Sequence, residues 1–127
     1  MDPRALVPHR EPFLLLDRVL SADATRAVAE ALVPAAGLSA TLLLECLAQT
    51  CACVGTLARA RAGAAPRGLL VSVRDFRAAR PIGPGEKLHL EAERVGGLGE
   101  AALFQARAHV GDEPVASAQL GFVLVID

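Results

Sequence analysis

The sequence predicts an α+β fold in which an antiparallel sheet wraps around one long central helix. Two observations predict it. The stretch at about 40–60 has no Pro, favours helix formers and is apolar around its whole circumference, so a helix there needs cover on every side. The remaining apolar runs are short, alternate with period two and are separated by turn residues, the pattern of an antiparallel sheet with one wet face. One short sheet cannot enclose a helix alone, so a second subunit is expected.

Taken in order, residues 13–20 (FLLLDRVL) read as a strand, with 25–33 (TRAVAEALV) as its hairpin partner across Ser-Ala-Asp-Ala. Ser39 is the expected N-cap of the helix, and Arg59, Arg61 and Gly63 give its stop. Strands follow at 68–76, 88–95, 103–110 and 115–126, separated by PIGPG at 81–85, GGLG at 96–99 and GDEP at 111–114. In the middle pair, Leu88, Leu90 and Ala92, then Phe104, Ala106, Ala108 and Val110, occupy the apolar phase. His89 and His109 fall on the polar phase and read as solvated surface. The 127 residues are expected to form a single domain, 1–127.

Composition removes several classes of function. The chain is 53% hydrophobic but 3% aromatic, with no Trp or Tyr, and carries thirteen basic against fourteen acidic residues. A net charge of −1 without like-charge blocks, and the lack of stacking platforms, argue against a nucleic-acid binder. The apolar fraction excludes disorder. Cys46, Cys51 and Cys53 lie in the helical run without metal-ligand spacing, so they read as buried thiols of a reducing compartment, and no metal is expected. The N-terminus lacks the apolar core of a signal peptide, which points to the cytoplasm. Glu45 is the sole charge between residues 31 and 58. A mid-helix acid and flanking strands rule out reading that run as a membrane span.

Three segments carry a family resemblance. LVPHREPFLLLDRVL (6–20) resembles the N-terminal signature of the FabZ-type 3-hydroxyacyl-[acyl-carrier-protein] dehydratases. LLLECLAQTCACVG (42–55) is similar to their central helix, and FRAARPIGPGEKLHLEAERV (76–95) to two of their strands with the turn between. The resemblance implies the hotdog fold, a dimer or higher oligomer, and acyl chains carried as phosphopantetheine thioesters on acyl-carrier protein or coenzyme A, with no cofactor of the protein's own. It also implies a place in fatty-acid or polyketide-type lipid biosynthesis.

The chain departs from the family at one point. The family's catalytic His lies in a His-Phe-Pro-Gly segment ahead of the helix, and it meets the helix Glu across two subunits. Here AEALVPAAGLSATLLLE (29–45) offers Ala31 or Leu32 at that place, and Ser39-Ala40 stand where a Pro-Gly pair opens the helix. The trimmed segment resembles that of dehydratase-like proteins of the aryl-polyene type.

Removing water from a 3-hydroxyacyl thioester needs a base for the C2 proton, an acid for the departing hydroxyl and a polar group at the enolate oxygen. Glu45 is the expected acid or base, and Gln49, one turn on, is placed to orient it. His9 is the one histidine near the family signatures; a structural role is expected there, with a displaced base as the minority reading. By resemblance, Gly37, Ser39, Ala40, Phe13 and Phe76 line the substrate path, the two Phe being core residues otherwise. Three functions follow: a dehydratase working through Glu45, a catalytically impaired subunit that pairs with a His-bearing paralogue, or a hotdog thioesterase.

Overall fold

In the computed structural model, which describes residues 2–6, 14–55, 67–97 and 99–125, one six-stranded sheet curls around one helix. The strands are β1 (Arg18–Ala22), β2 (Arg26–Leu32), β3 (Arg67–Ala78), β4 (Lys87–Gly96), β5 (Ala101–Val110) and β6 (Glu113–Val125). The helix α1 (Ala40–Cys53) lies between β2 and β3, and a short 3-10 turn occupies Pro3–Ala5. All pairings are antiparallel, in the order β1-β2-β4-β5-β6-β3.

The register shows why so few aromatics suffice. Ala27, Ala92, Ala106 and Ala118 stand opposite one another across β2, β4, β5 and β6, and all four are buried. A row of methyl groups gives the sheet a shallow trough, and α1 packs against β2 through β6. Leu88, Leu90, Leu120 and the edge-to-face pair Phe104–Phe122 (centroids 5.6 Å apart) fill the space beside that row.

Several strand ends shift by one or two residues, as at β3, β5 and β6, and the first hairpin and the helix end differ from expectation for identifiable reasons. β1 begins at Arg18 rather than at 13, because the preceding backbone bonds elsewhere: the Leu15 N–H donates to the Gln49 side chain at 2.9 Å. The first hairpin closes tightly on Asp23, whose carboxylate accepts from the Thr25 and Arg26 amides, both at 2.8 Å. These bonds hold its pKa below the usual range. The helix stops at Cys53, well short of 60, with Val54 extended and Gly55 at φ +73° donating its N–H to the Asp23 carbonyl. Gly55, then, does the work that the sequence assigned to Gly63. Segments 7–13 and 56–66 lie outside the described residues, as do His9 and Phe13.

Within one chain α1 is not covered all round. Leu43, Cys46, Leu47, Gln49, Thr50, Cys51 and Cys53 are buried, but Leu42 is exposed and Leu44, Glu45 and Ala52 are half-buried. At the end of the sheet β3 has a partner on one side only, and Leu69, Leu70, Val71 and Val73 on it are exposed.

The trough makes a quantitative prediction. Ala106→Phe inserts a ring where α1 approaches the sheet, and overpacking of a dense core costs about 1–3 kcal/mol. Thermal unfolding should show a lower midpoint than for Ala106→Gly, which only weakens the strand.

Candidate functional site

The start of the helix is held by a turn. Leu38 and Ile82 form an isolated antiparallel bridge with both hydrogen bonds made, at 2.9 and 3.0 Å. Gly37 beside it sits at φ +74°, and a Cβ there would lie 2.8 Å from the Ile82 carbonyl oxygen. Glycine is thus required both by conformation and by space. Ser39 follows in extended conformation and caps the helix by accepting from Leu42 N–H at 3.4 Å. Ala40 is the first helical residue and is exposed. Gly37, Ser39 and Ala40 therefore gather at one end of α1, about 8 Å along its axis from Glu45.

The turn is locked in place by Arg80. Its guanidinium forks onto Glu86 (3.0 and 3.0 Å) and Glu113 (3.0 and 3.1 Å), and donates to the Pro81 carbonyl. Glu86 also accepts from Gly83 N–H at 2.7 Å. Arg80 holds both carboxyls below the usual glutamate range, Glu86 with help from the Gly83 amide. Pro/Gly turn chemistry was visible in the sequence, but an arginine reaching glutamates 6 and 33 residues away left no local signal.

Glu45 and Gln49 meet as their spacing predicts. Gln49 Nε2 donates to Glu45 Oε1 at 3.2 Å, while Gln49 Oε1 accepts from Leu15 N–H. That second bond fixes which way the amide points, so the nitrogen faces the carboxyl. Gln49 is fully buried and Glu45 half-buried, on the partly open side of the helix. The carboxyl is thus oriented by a buried amide and half-buried itself, on the side of α1 where Leu42 is exposed. Where the family His would stand, Ala31 is buried at the end of β2 and Leu32 is 60% exposed.

The remaining residues fall elsewhere. Phe76 is half-buried on β3 and lines an open cavity of about 710 Å³, which none of residues 37–49 lines. His89 and His109 are half-buried rather than freely solvated; their rings stack 6.3 Å apart. A carboxylate that sequence reading passed over, Glu30 on β2, is buried beneath Arg18 (3.0 Å), Lys87 (3.8 Å) and His89 (3.8 Å). Its place on the β2 polar phase gave no hint of burial, which comes from long side chains on two neighbouring strands. The three thiols are free and buried. Desolvation pushes Cys46 up to about 12, with the Glu45 charge adding to the effect, and Cys53 likewise to about 12. None is a ready nucleophile. Among the described residues no group of three His, Cys, Asp or Glu is arranged to hold a metal, and no helix is long and apolar enough to cross a membrane.

With this geometry in view, comparison with known proteins is decisive. The family model of ApeP-like proteins, described as ApeP dehydratase, matches residues 1–124. The chain belongs to the ApeP-like dehydratase family. It is 40% identical over 146 residues to a 3-hydroxyacyl-[acyl-carrier-protein] dehydratase FabZ of Thermus thermophilus, covering 98% of this chain and 97% of that protein. The FabZ of Symbiobacterium thermophilum is 36% identical over 138 residues, covering 94% and 92%. Among solved structures, the dehydratase heterocomplex ApeI:P from Xenorhabdus doucetiae superposes with a TM-score of 0.85 at 16% identity, covering 98% of this chain and 91% of that one. That likeness establishes the hotdog fold, and the sequence relatives establish a function of the 3-hydroxyacyl-carrier dehydratase type.

The Arg80 fork sets a pH dependence. Carboxyls with lowered folded pKa add stability above their unfolded pKa and lose it as pH falls through the folded value. The parent's melting temperature should therefore drop as Glu86 and Glu113 protonate. In Arg80→Leu that acid-side drop should be shallower and the neutral-pH midpoint lower, as read by calorimetry across pH 2–7, roughly the span over which carboxyls titrate.

Proposed function

We propose that this chain dehydrates 3-hydroxyacyl thioesters tethered to an acyl-carrier protein, with Glu45 as its acid–base group and a second chain completing the site. The observation that carries this reading is the chain of hydrogen bonds from the Leu15 amide through Gln49 to Glu45. It aims a carboxyl from a buried, fixed support toward the uncovered side of α1. The Glu45 carboxylate takes the C2 proton, and the electron pair forms the C2–C3 double bond as the C3–O bond breaks. The protonated carboxyl then returns its proton to the departing hydroxyl, which leaves as water. No electrons are exchanged, so the reaction needs no cofactor beyond the substrate's own phosphopantetheine. The helix start at Ala40 supports the thioester oxygen through its unpaired amides.

The open face of α1 and the apolar edge of β3 support a second chain packing there; Val71 at 61% exposure and Leu69 at 51% are poor solvent-facing residues for a long edge strand. The simplest occupant is another copy, giving a homodimer. A second reading keeps Glu45 and changes the partner. Ala31 and Leu32 at the family His position favour a His-bearing paralogue, and the ApeI:P structure is a heterocomplex by its own description. In that assembly this chain lends Glu45 and the paralogue lends the base. The free thiols support a reducing, cytoplasmic setting.

The test uses the purified chain alone and mixed with a His-bearing paralogue, following the 2-enoyl thioester formed. Glu45→Gln should cost ~10²–10⁴-fold in rate in whichever assembly is active, the span of a lost general acid–base group. Full activity in Glu45→Gln, or release of free thiol in place of enoyl product, would sink the dehydratase reading. Activity that appears only on mixing selects the paralogue partner; activity of the chain alone at ordinary enzymatic rates excludes it.

A further inference from the structure

We propose that the cavity across the ends of β3, β5 and β6 is a binding site for the phosphate of a pantetheine arm, gripped by Arg77 and Arg107. The inference rests on the carrier-thioester reading above and adds a second, separate point of substrate recognition. The cavity measures about 710 Å³ and is open; Arg77, Arg107, His109 and Ser117 supply polar groups around apolar surface that includes Phe76 and Ala116. Among the described residues no carboxylate lines it. Two acids flank its wall in sequence: Glu113, which Arg80 engages, and Asp75, at the start of the wall on β3.

The two arginines have little to hold them within the chain. Among the described residues the Arg77 side chain makes neither an ion pair nor a hydrogen bond, and Arg107 approaches Glu93 only at 4.0 Å, with the Arg107 and Glu93 side chains more than half exposed. Elsewhere on the sheet and its turns, Arg18 pairs with Glu30, Arg26 with Glu91 and Arg80 with two glutamates, all at 3.0–3.1 Å. Register places Arg107 opposite Ser117, and Ser117 opposite Arg77, so the three form one row across β5, β6 and β3. Two guanidinium groups flanking a hydroxyl match a phosphate ester, which accepts several charge-assisted hydrogen bonds at once.

A kink keeps this row in place. Between Arg74 and Arg77 the β3–β6 register slips, and Asp75 at φ +53° is the one non-glycine residue with positive φ among those described. Two residues of β3 there oppose one of β6, the signature of a bulge, which re-aims the side chains that follow it. Strain at such a residue is retained where the surroundings impose it. Here it sets Phe76 and Arg77 on the cavity.

The cavity is also at a workable distance from the proposed chemistry. Its wall includes Ala79, whose N–H donates to the Val115 carbonyl at 2.8 Å. Three residues further on, Ile82 pairs with Leu38, next to the N-cap Ser39. Extended-chain and cross-strand spacings bound the separation of cavity and helix start to roughly 20–25 Å. A slender arm held by its phosphate at one end can then deliver the thioester to the other. The same phosphate chemistry is present on a holo-carrier protein and in coenzyme A.

Calorimetric titration of the purified oligomer with 4′-phosphopantetheine and with pantetheine tests the site without needing turnover. The phosphorylated compound should bind about tenfold or more tightly, and Arg77→Gln and Arg107→Gln should each erase about that factor while leaving pantetheine binding unchanged. Unchanged pantetheine binding separates a lost contact from a damaged fold. Equal affinity for the two compounds, or arginine variants that bind phosphopantetheine like the parent, overturns the proposal. So does dissociation of the oligomer in Arg77→Gln/Arg107→Gln, which would show this face packed against a second chain. If the parent binds phosphopantetheine but forms no 2-enoyl thioester, alone or mixed with a His-bearing paralogue, the dehydratase reading fails and this one stands. Competition between coenzyme A and holo-carrier protein for the site then tells which source of the phosphate is preferred, and displacement by either upholds it.

Discussion

One sheet cannot sheathe an apolar helix, and that shortfall organises the molecule. The alanine trough across β2, β4, β5 and β6 takes one side of α1 closely. The opposite side, with Leu42 exposed and Leu44, Glu45 and Ala52 half-buried, is left over. Apolar surface of this kind gains roughly 25 cal/mol for each Å² removed from water, so a second chain has reason to pack there. The proposed chemistry follows from the same geometry. In the proposed assembly a carboxyl on the leftover side lies at the boundary between two chains, where a small slot closed by both would exclude water from a reacting thioester.

Gln49 converts that boundary into a site with direction. A fully buried amide must satisfy both ends or cost stability. It does so by taking the Leu15 N–H on one side and facing Glu45 on the other. The Leu14–Asp17 stretch gives up part of a strand for this, since the Leu15 amide that would otherwise pair in a ladder is spent on the side chain. An apolar sequence run that reads as a strand is thus used as a strap across the helix. Its leucines still pack: Leu16 is buried, and Leu14 and Leu15 lie against the core.

What could be read from sequence was what local chemistry encodes. Alternation located β2, β4, β5 and β6, a serine before an apolar run located the helix start, and the four-residue spacing of Glu45 and Gln49 located their contact. The family resemblance added the fold and the carrier-linked substrate. What could not be read depends on partners distant in the chain. The end of α1 is set by the Asp23 carbonyl reaching Gly55, the start of β1 by Gln49, and the burial of Glu30 by Arg18 and Lys87 from other strands. The β3 bulge at Asp75 had no turn residue to announce it, and the arginine fork on Glu86 and Glu113 spans half the second sheet segment. Each is a long-range bond satisfied at the expense of a local preference.

The substitution of the family His also gains a physical shape. At the end of β2 the chain places a buried methyl, Ala31, and an exposed isobutyl group, Leu32, where a base would need a ring with one nitrogen toward the substrate and the other held by an acceptor. A histidine restored at Leu32 would stand at a position that is 60% exposed. The missing base is therefore a property of the whole shortened connection 29–45 and of its exposed apolar side chain. The two proposed assemblies use such a chain differently: in one it runs the elimination slowly through one carboxyl, in the other it lends that carboxyl to a neighbour that carries the base. Both proposed uses require the same support under Glu45, the buried Gln49 amide tied to the Leu15 N–H.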